Sequence, residues 1–197
     1  MAQYYYAVAT LPSLSLEETS YLSVESFCEF MKEQLNEADY NALSRASIDP
    51  PERFADMPSA YVGFARFVVG IRNALAKERA ANFGWELEEH LRLDDREETG
   101  ANETEPMLRA REALNAENPF RAEEAIIRAE WALLDELEVG RFFSIDKVII
   151  YYLRLQLCER YGDMTPERGL ESFDEQYSRI ANQFQGIERS EQVNGEA

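Results

Sequence analysis

The side chains able to do acid, base or metal chemistry are few in this chain. Its single histidine, His90, lies in the charged stretch ELEEHLRLDD, where a solvent-facing role outweighs that of a base or metal ligand. A di-iron helical bundle would need two Glu-x-x-His pairs on facing helices, and Leu87 stands three residues before His90. The phosphate loop G-x-x-x-x-G-K followed by Ser or Thr does not occur, and none of the 9 glycines forms G-x-G-x-x-G. Carboxylate pairs such as Glu88 with Glu89 and Glu123 with Glu124 are abundant, but consecutive residues on a helix point in different directions, so they are expected to be surface charge. The two cysteines, Cys28 and Cys158, are far apart and flanked by apolar residues, as expected of small buried hydrophobes in a reducing compartment. The expectation is a protein with no catalytic residues, no cofactor and no metal.

Charge narrows the partners. With 38 acidic against 20 basic residues the formal net charge is −18, which repels a phosphate backbone and disfavours nucleic acid. An anionic lipid surface is disfavoured for the same reason. No Lys or Arg precedes Lys32, so the apolar opening does not have the basic start of a secretory signal. Its apolar run is about half of the ~20 residues that cross a bilayer, and direct membrane insertion is not expected.

The elements that would position any surface are helical. Ser23 is placed to cap a helix over Val24 to Leu35, with Val24, Phe27, Cys28, Met31 and Leu35 on one stripe. A short helix follows from Glu37 to Ser44. Asp49-Pro50-Pro51 to Pro58 interrupts the pattern, and Ser59 is expected to cap Ala60 to about Phe83, which Gly84 stops. Trp85 to Leu93 resumes as helix, and DDREETGANETE, residues 94–105, is expected to be a mobile acidic loop. Pro106 opens a helix to about Asn115, and Asn118 with Pro119 supplies an N-cap and a proline at the first position of a helix to Glu138. Its expected stripe is Ala122, Ala125, Ile126, Ala129, Leu133 and Leu137, with Gly140 ending it. Ser144 is expected to cap Ile145 to Tyr161, whose apolar residues on nearly every side make it the central element. Thr165-Pro166 begins a last helix to about Gln185, before the polar tail 186–197. The fold class expected is all-α: one domain over 1–185, about eight helices, with a strand or a helical turn at YYYAVATLPSLS.

Three stretches together carry a resemblance. YYYAVATLPSLS, FARFVVGIRNALAKERAANFG and FFSIDKVIIYYLRLQLCERY resemble a bacterial family of unknown function encoded with the components of V-type ATPases. That family is in turn distantly similar to the connector component of these machines, lettered C there and d in eukaryotes, an all-helical funnel between the central stalk and the rotor ring. Val68, Ile71, Arg72 and Leu75 also match Ile150, Leu153, Arg154 and Leu157 in type and spacing, as a duplicated helical unit would.

The resemblance implies a non-catalytic component or assembly partner in ATP-coupled ion transport, with V-type ATPase stalk or rotor proteins as partners. It implies a cytoplasmic location, peripheral to the membrane through the complex. Arg141, Phe142 and Phe143 are the candidate interface residues. On this view the opening tyrosines are pinned against the late helix as an anchor. The rival expectation is a free-standing helical adaptor or small-ligand-binding protein, with a pocket near Trp85 or Trp131.

Overall fold

The computed structural model describes residues 4–17, 22–84 and 104–165. Among these, seven helices and no strand occur: α1 (Tyr4–Ala9), α2 (Val24–Gln34), α3 (Glu37–Arg45), α4 (Ser59–Phe83), α5 (Thr104–Leu114), α6 (Pro119–Glu138) and α7 (Ile145–Gly162). The fold class is all-α. The chain divides into two compact units, Met1–Tyr161 and Gly162–Ala197, and the second is described only over residues 162–165. The helices expected at Trp85 to Leu93 and from Thr165 onward lie outside the described residues, as do His90, Trp85 and residues 94–103 of the acidic stretch. Its last two residues, Thr104 and Glu105, belong to α5.

Helix α7 organises the first unit. Every residue of α7 from Val148 to Leu153 is buried, and Leu155, Leu157 and Cys158 join them, so α7 is enclosed on nearly all sides. Phe27 of α2 stacks on Tyr152 at 5.7 Å and meets Tyr151 at 5.3 Å between ring centroids. Gln156 reaches the loop after α3, accepting from the Ile48 amide at 3.1 Å and donating to the Ala46 carbonyl at 3.3 Å. On α6, Asp135 and Glu138 both pair with Arg154.

Helices α4, α5 and α6 pack on one another, and two glycines of α4 permit the approach. A Cβ on Gly63 would stand 3.1 Å from Leu137 of α6, and one on Gly70 would stand 3.1 Å from the Pro106 ring of α5. The two similar units in α4 and α7 differ at their last position, where Leu75 is half-buried and Leu157 is fully buried. Val68, Ile71, Ile150, Leu153 and Leu157 are buried, while Arg72 pairs with Asp49 and Arg154 with the α6 acids.

Local punctuation produced some of these helices. Ser23 accepts from the Ser26 amide at 3.1 Å, and Asn118 accepts from the Arg121 amide at 2.9 Å with Pro119 behind it. Gly84 leaves α4 at φ 69°, a left-handed conformation open to glycine.

Other expectations are corrected. Ser59 does not cap α4; it lies inside the helix, and the Ala60 amide instead donates to Asp146 of α7 at 2.9 Å. Ser144 does not cap α7 through its side chain, since its buried hydroxyl has no hydrogen-bond partner. Its carbonyl accepts from Lys147 and Val148 instead. The buried face of α6 is Glu124, Ile127, Ala129, Glu130 and Leu134, about one residue round from the expected stripe. Ala129 belongs to both faces, whereas Ala122, Ala125, Ile126, Leu133 and Leu137 are half-buried and two glutamates are enclosed. Glu124 is therefore not the surface charge its neighbours suggested.

The opening stretch forms a helix, α1, rather than a strand. Its tyrosines are not the buried anchor expected: Ala7 is its one buried residue, while Tyr5 and Tyr6 are exposed. Tyr4 donates to Asp39 of α3, and burial together with that carboxylate raises its phenol above the ordinary range. A six-residue helix has too little surface to turn three consecutive side chains inward at once.

Candidate interaction surface

A surface that combines exposure with apolar side chains is built where α1 meets the turn between α6 and α7. Val139 is 78% exposed, Phe142 70% and Phe143 53%. Tyr5, 69% exposed, comes from a distant part of the sequence and places its ring 4.9 Å from that of Phe143, tilted by 46°. This is the spacing of a favourable aromatic pair. Large apolar side chains left in water in this number mark a contact surface more often than isolated ones do.

The turn that presents them is fixed from behind. Gly140 has φ 79°, a conformation that lets the chain reverse directly after α6 without steric cost. Arg141 then folds back: its guanidinium donates to the Leu137 carbonyl, lies 3.4 Å from the Ser59 hydroxyl and faces the Asp146 carboxylate at 3.8 Å. Asp146 in turn receives the Ala60 amide. The sequence-selected trio thus divides by role. Phe142 and Phe143 face outward, whereas Arg141 is committed to the α4–α7 junction and holds the turn.

Two further ion clusters brace the same helices. Lys147 pairs with Glu138, which also meets Arg154. Partial burial, with Arg154 nearby, lowers the affinity of the Lys147 amine for its proton. The Arg154 guanidinium lies 5.5 Å from the centre of the Trp131 ring, a cation–π distance. Trp131 is half-buried beneath it.

At the far end of α6, Glu124 accepts from Arg121 at 2.6 Å, from Arg128 at 3.1 Å and from Tyr161 of α7 at 3.2 Å. Those donors hold its carboxyl below the usual carboxylate range. Glu130, further along the helix, is 2% exposed and is pushed up to about 7. The main cause is burial; Glu123 adds to it, and Arg160 and Arg72 oppose it.

Sequence reasoning favoured a packed role for Tyr5, which is exposed, and missed Glu124 and Glu130 as interior groups. A hint for Glu130 was present: it lies seven residues after Glu123, on one side of a helix that is otherwise rich in alanine and leucine; none marks Glu124. No sequence spacing signals the meeting of Tyr5 with Phe143. Cys28 and Cys158 are both free thiols, and burial pushes the Cys158 thiol up to about 11. Among the described residues no group of three or more His, Cys, Asp or Glu could hold a metal ion, and no helix is long and apolar enough to cross a membrane.

The chain is all-α among the described residues, with exposed aromatic side chains beside a turn braced by ion pairs. No family model matches the chain, and no curated protein or solved structure is detectably similar to it.

Proposed function

We propose that this chain is a non-catalytic assembly component of a V-type ATPase, held by stalk or rotor proteins through its aromatic face. The observation that carries the contact role is the exposed cluster of Tyr5, Phe142 and Phe143, in which two aromatic rings from distant parts of the sequence lie 4.9 Å apart. Aromatic side chains are enriched at protein interfaces because they bury large areas at small entropic cost. The assignment to the ATPase rests on the resemblance of the three stretches quoted above. The mechanism is mechanical: a helical body transmits force to its neighbours through packed side chains, without chemistry of its own. It places the chain in the cytoplasm, peripheral to the membrane through the complex.

Gentle purification of the tagged chain from its source cells, followed by crosslinking, tests the proposal. The expected result is recovery of the V-type catalytic and stalk proteins, with crosslinks from the segment around Phe142. Recovery as a monomer free of every ATPase component would overturn it.

A further inference from the structure

The buried face of α6 carries two glutamates with opposite fates. Glu124 has three donors, described above, and is satisfied as an anion. Glu130 has one oxygen, Oε2, buried without a hydrogen bond. The nearest cation is Arg160 in the last turns of α7, whose Nη1 lies 3.7 Å from that oxygen, beyond hydrogen-bond reach. The same guanidinium gives its other nitrogen, Nη2, to Glu123. One arginine therefore faces two carboxylates and bonds closely to one.

Other elements do not make up the deficit. Arg72 of α4 acts on Glu130 only through its field and is paired with Asp49. On α5, which also packs on α6, Arg109 is held by Glu105 and Glu112, and Arg111 by Glu78.

We propose that Glu130 is a proton-binding site at the seam of α6 and α7, and that its occupancy sets how tightly the last turns of α7 dock on α6. With the proton bound, the buried carboxyl is neutral and Arg160 serves Glu123 alone. With the proton lost, an anion sits in the seam without a hydrogen bond on Oε2. The guanidinium must then shift between two acids, or the seam must open to admit water. A carboxyl raised from 4.5 to about 7 places this change in the neutral range. Because the folded chain holds the proton more tightly than the unfolded one, stability falls as pH rises from 4.5 toward 7 and levels off above.

Three measurements on the full chain test this. In a carboxyl-carbon NMR titration of glutamate-labelled protein, one resonance, absent from Glu130→Gln, should titrate near pH 7 while exposed glutamates titrate near their ordinary value of about 4.3. Substituting Glu123→Gln frees Arg160, so the Glu130 midpoint should fall by about a unit or more. Amide protection in residues 155–161, corrected for intrinsic exchange, should drop about tenfold between about pH 6 and pH 8 in the native chain and stay constant in Glu130→Gln. Titration of Glu130 together with the exposed glutamates would overturn the site, as would a midpoint that ignores Glu123→Gln. Equal protection at the two pH values would overturn the coupling to α7. Glu123→Gln keeps the test open should Glu130→Gln fail to fold.

Discussion

Substituting Asp146 tests how α4 is started. In the structure its carboxylate accepts the Ala60 amide at 2.9 Å and faces Arg141 at 3.8 Å, with 19% of the side chain exposed. Losing a capping acceptor costs about 1 kcal/mol, and losing a negative charge at a helix N-terminus adds about 0.3–1 kcal/mol. The Arg141 contact is long and part-exposed and adds little. Asp146→Ala should therefore cost about 2 kcal/mol, and Asp146→Asn, which keeps an acceptor but not the charge, about half of that. For a chain of this size the Ala variant should melt about 4–8 °C lower.

Ser59→Ala is the matched control. Had Ser59 been the cap, as its position before Ala60 suggests, its loss would cost about 1 kcal/mol; with Asp146 as the cap it should cost under about 0.5 kcal/mol. Urea denaturation of the native chain and the three variants at neutral pH reads the differences as shifts in midpoint at constant slope. Native stability in Asp146→Ala, or a larger loss in Ser59→Ala than in Asp146→Ala, would refute the reasoning.

The remaining predictions concern the core, the contact face and the buried acid. Leu153→Ala or Leu157→Ala should lower stability by about 2–5 kcal/mol, because both side chains are fully enclosed in α7; urea midpoints check this. Phe142→Ser with Phe143→Ser should abolish recovery of partner proteins while shifting the melting temperature little, since both rings are more than half exposed; a binding loss accompanied by unfolding would contradict this. Gly140→Ala should cost about 1–2 kcal/mol, because its φ of 79° is unfavourable for any residue with a Cβ; thermal melts read it. The stability of Glu130→Gln relative to the native chain should rise between about pH 5 and pH 8 by about 3 kcal/mol at most, from a shift of 4.5 to about 7. A flat difference across that range would count against it.

The parts of the fold legible in the sequence are those decided by neighbours along the chain. Ser23, Asn118-Pro119 and Gly84 act within four residues of themselves, so their helices begin or end where local chemistry says. The all-round apolar run in α7 likewise marked the central helix. What escaped is decided across the chain. Asp146 caps a helix 86 residues earlier, and no local pattern distinguishes it from an ordinary first-turn acid. The enclosed face of α6 was hidden because the apolar stripe of half-buried alanines and leucines lies to one side of it, while the burial of Glu130 depends on packing between helices that composition does not announce. The candidate face was partly legible: Phe142 and Phe143 stood out as an aromatic pair in a turn. Tyr5 did not, because its exposure depended on where a six-residue helix came to rest.

Both ends of α7 reach back to start earlier helices. Asp146, near its beginning, completes the first turn of α4, and Glu159, near its end, accepts the Val24 amide at 2.9 Å where α2 begins. During synthesis those two helices emerge from the ribosome with backbone donors still open to water, and both are finished by the same late segment. A nascent chain arrested before Ile145 should therefore be protease-sensitive at Val24 and Ala60 together, and gain resistance at both sites at once when α7 is released.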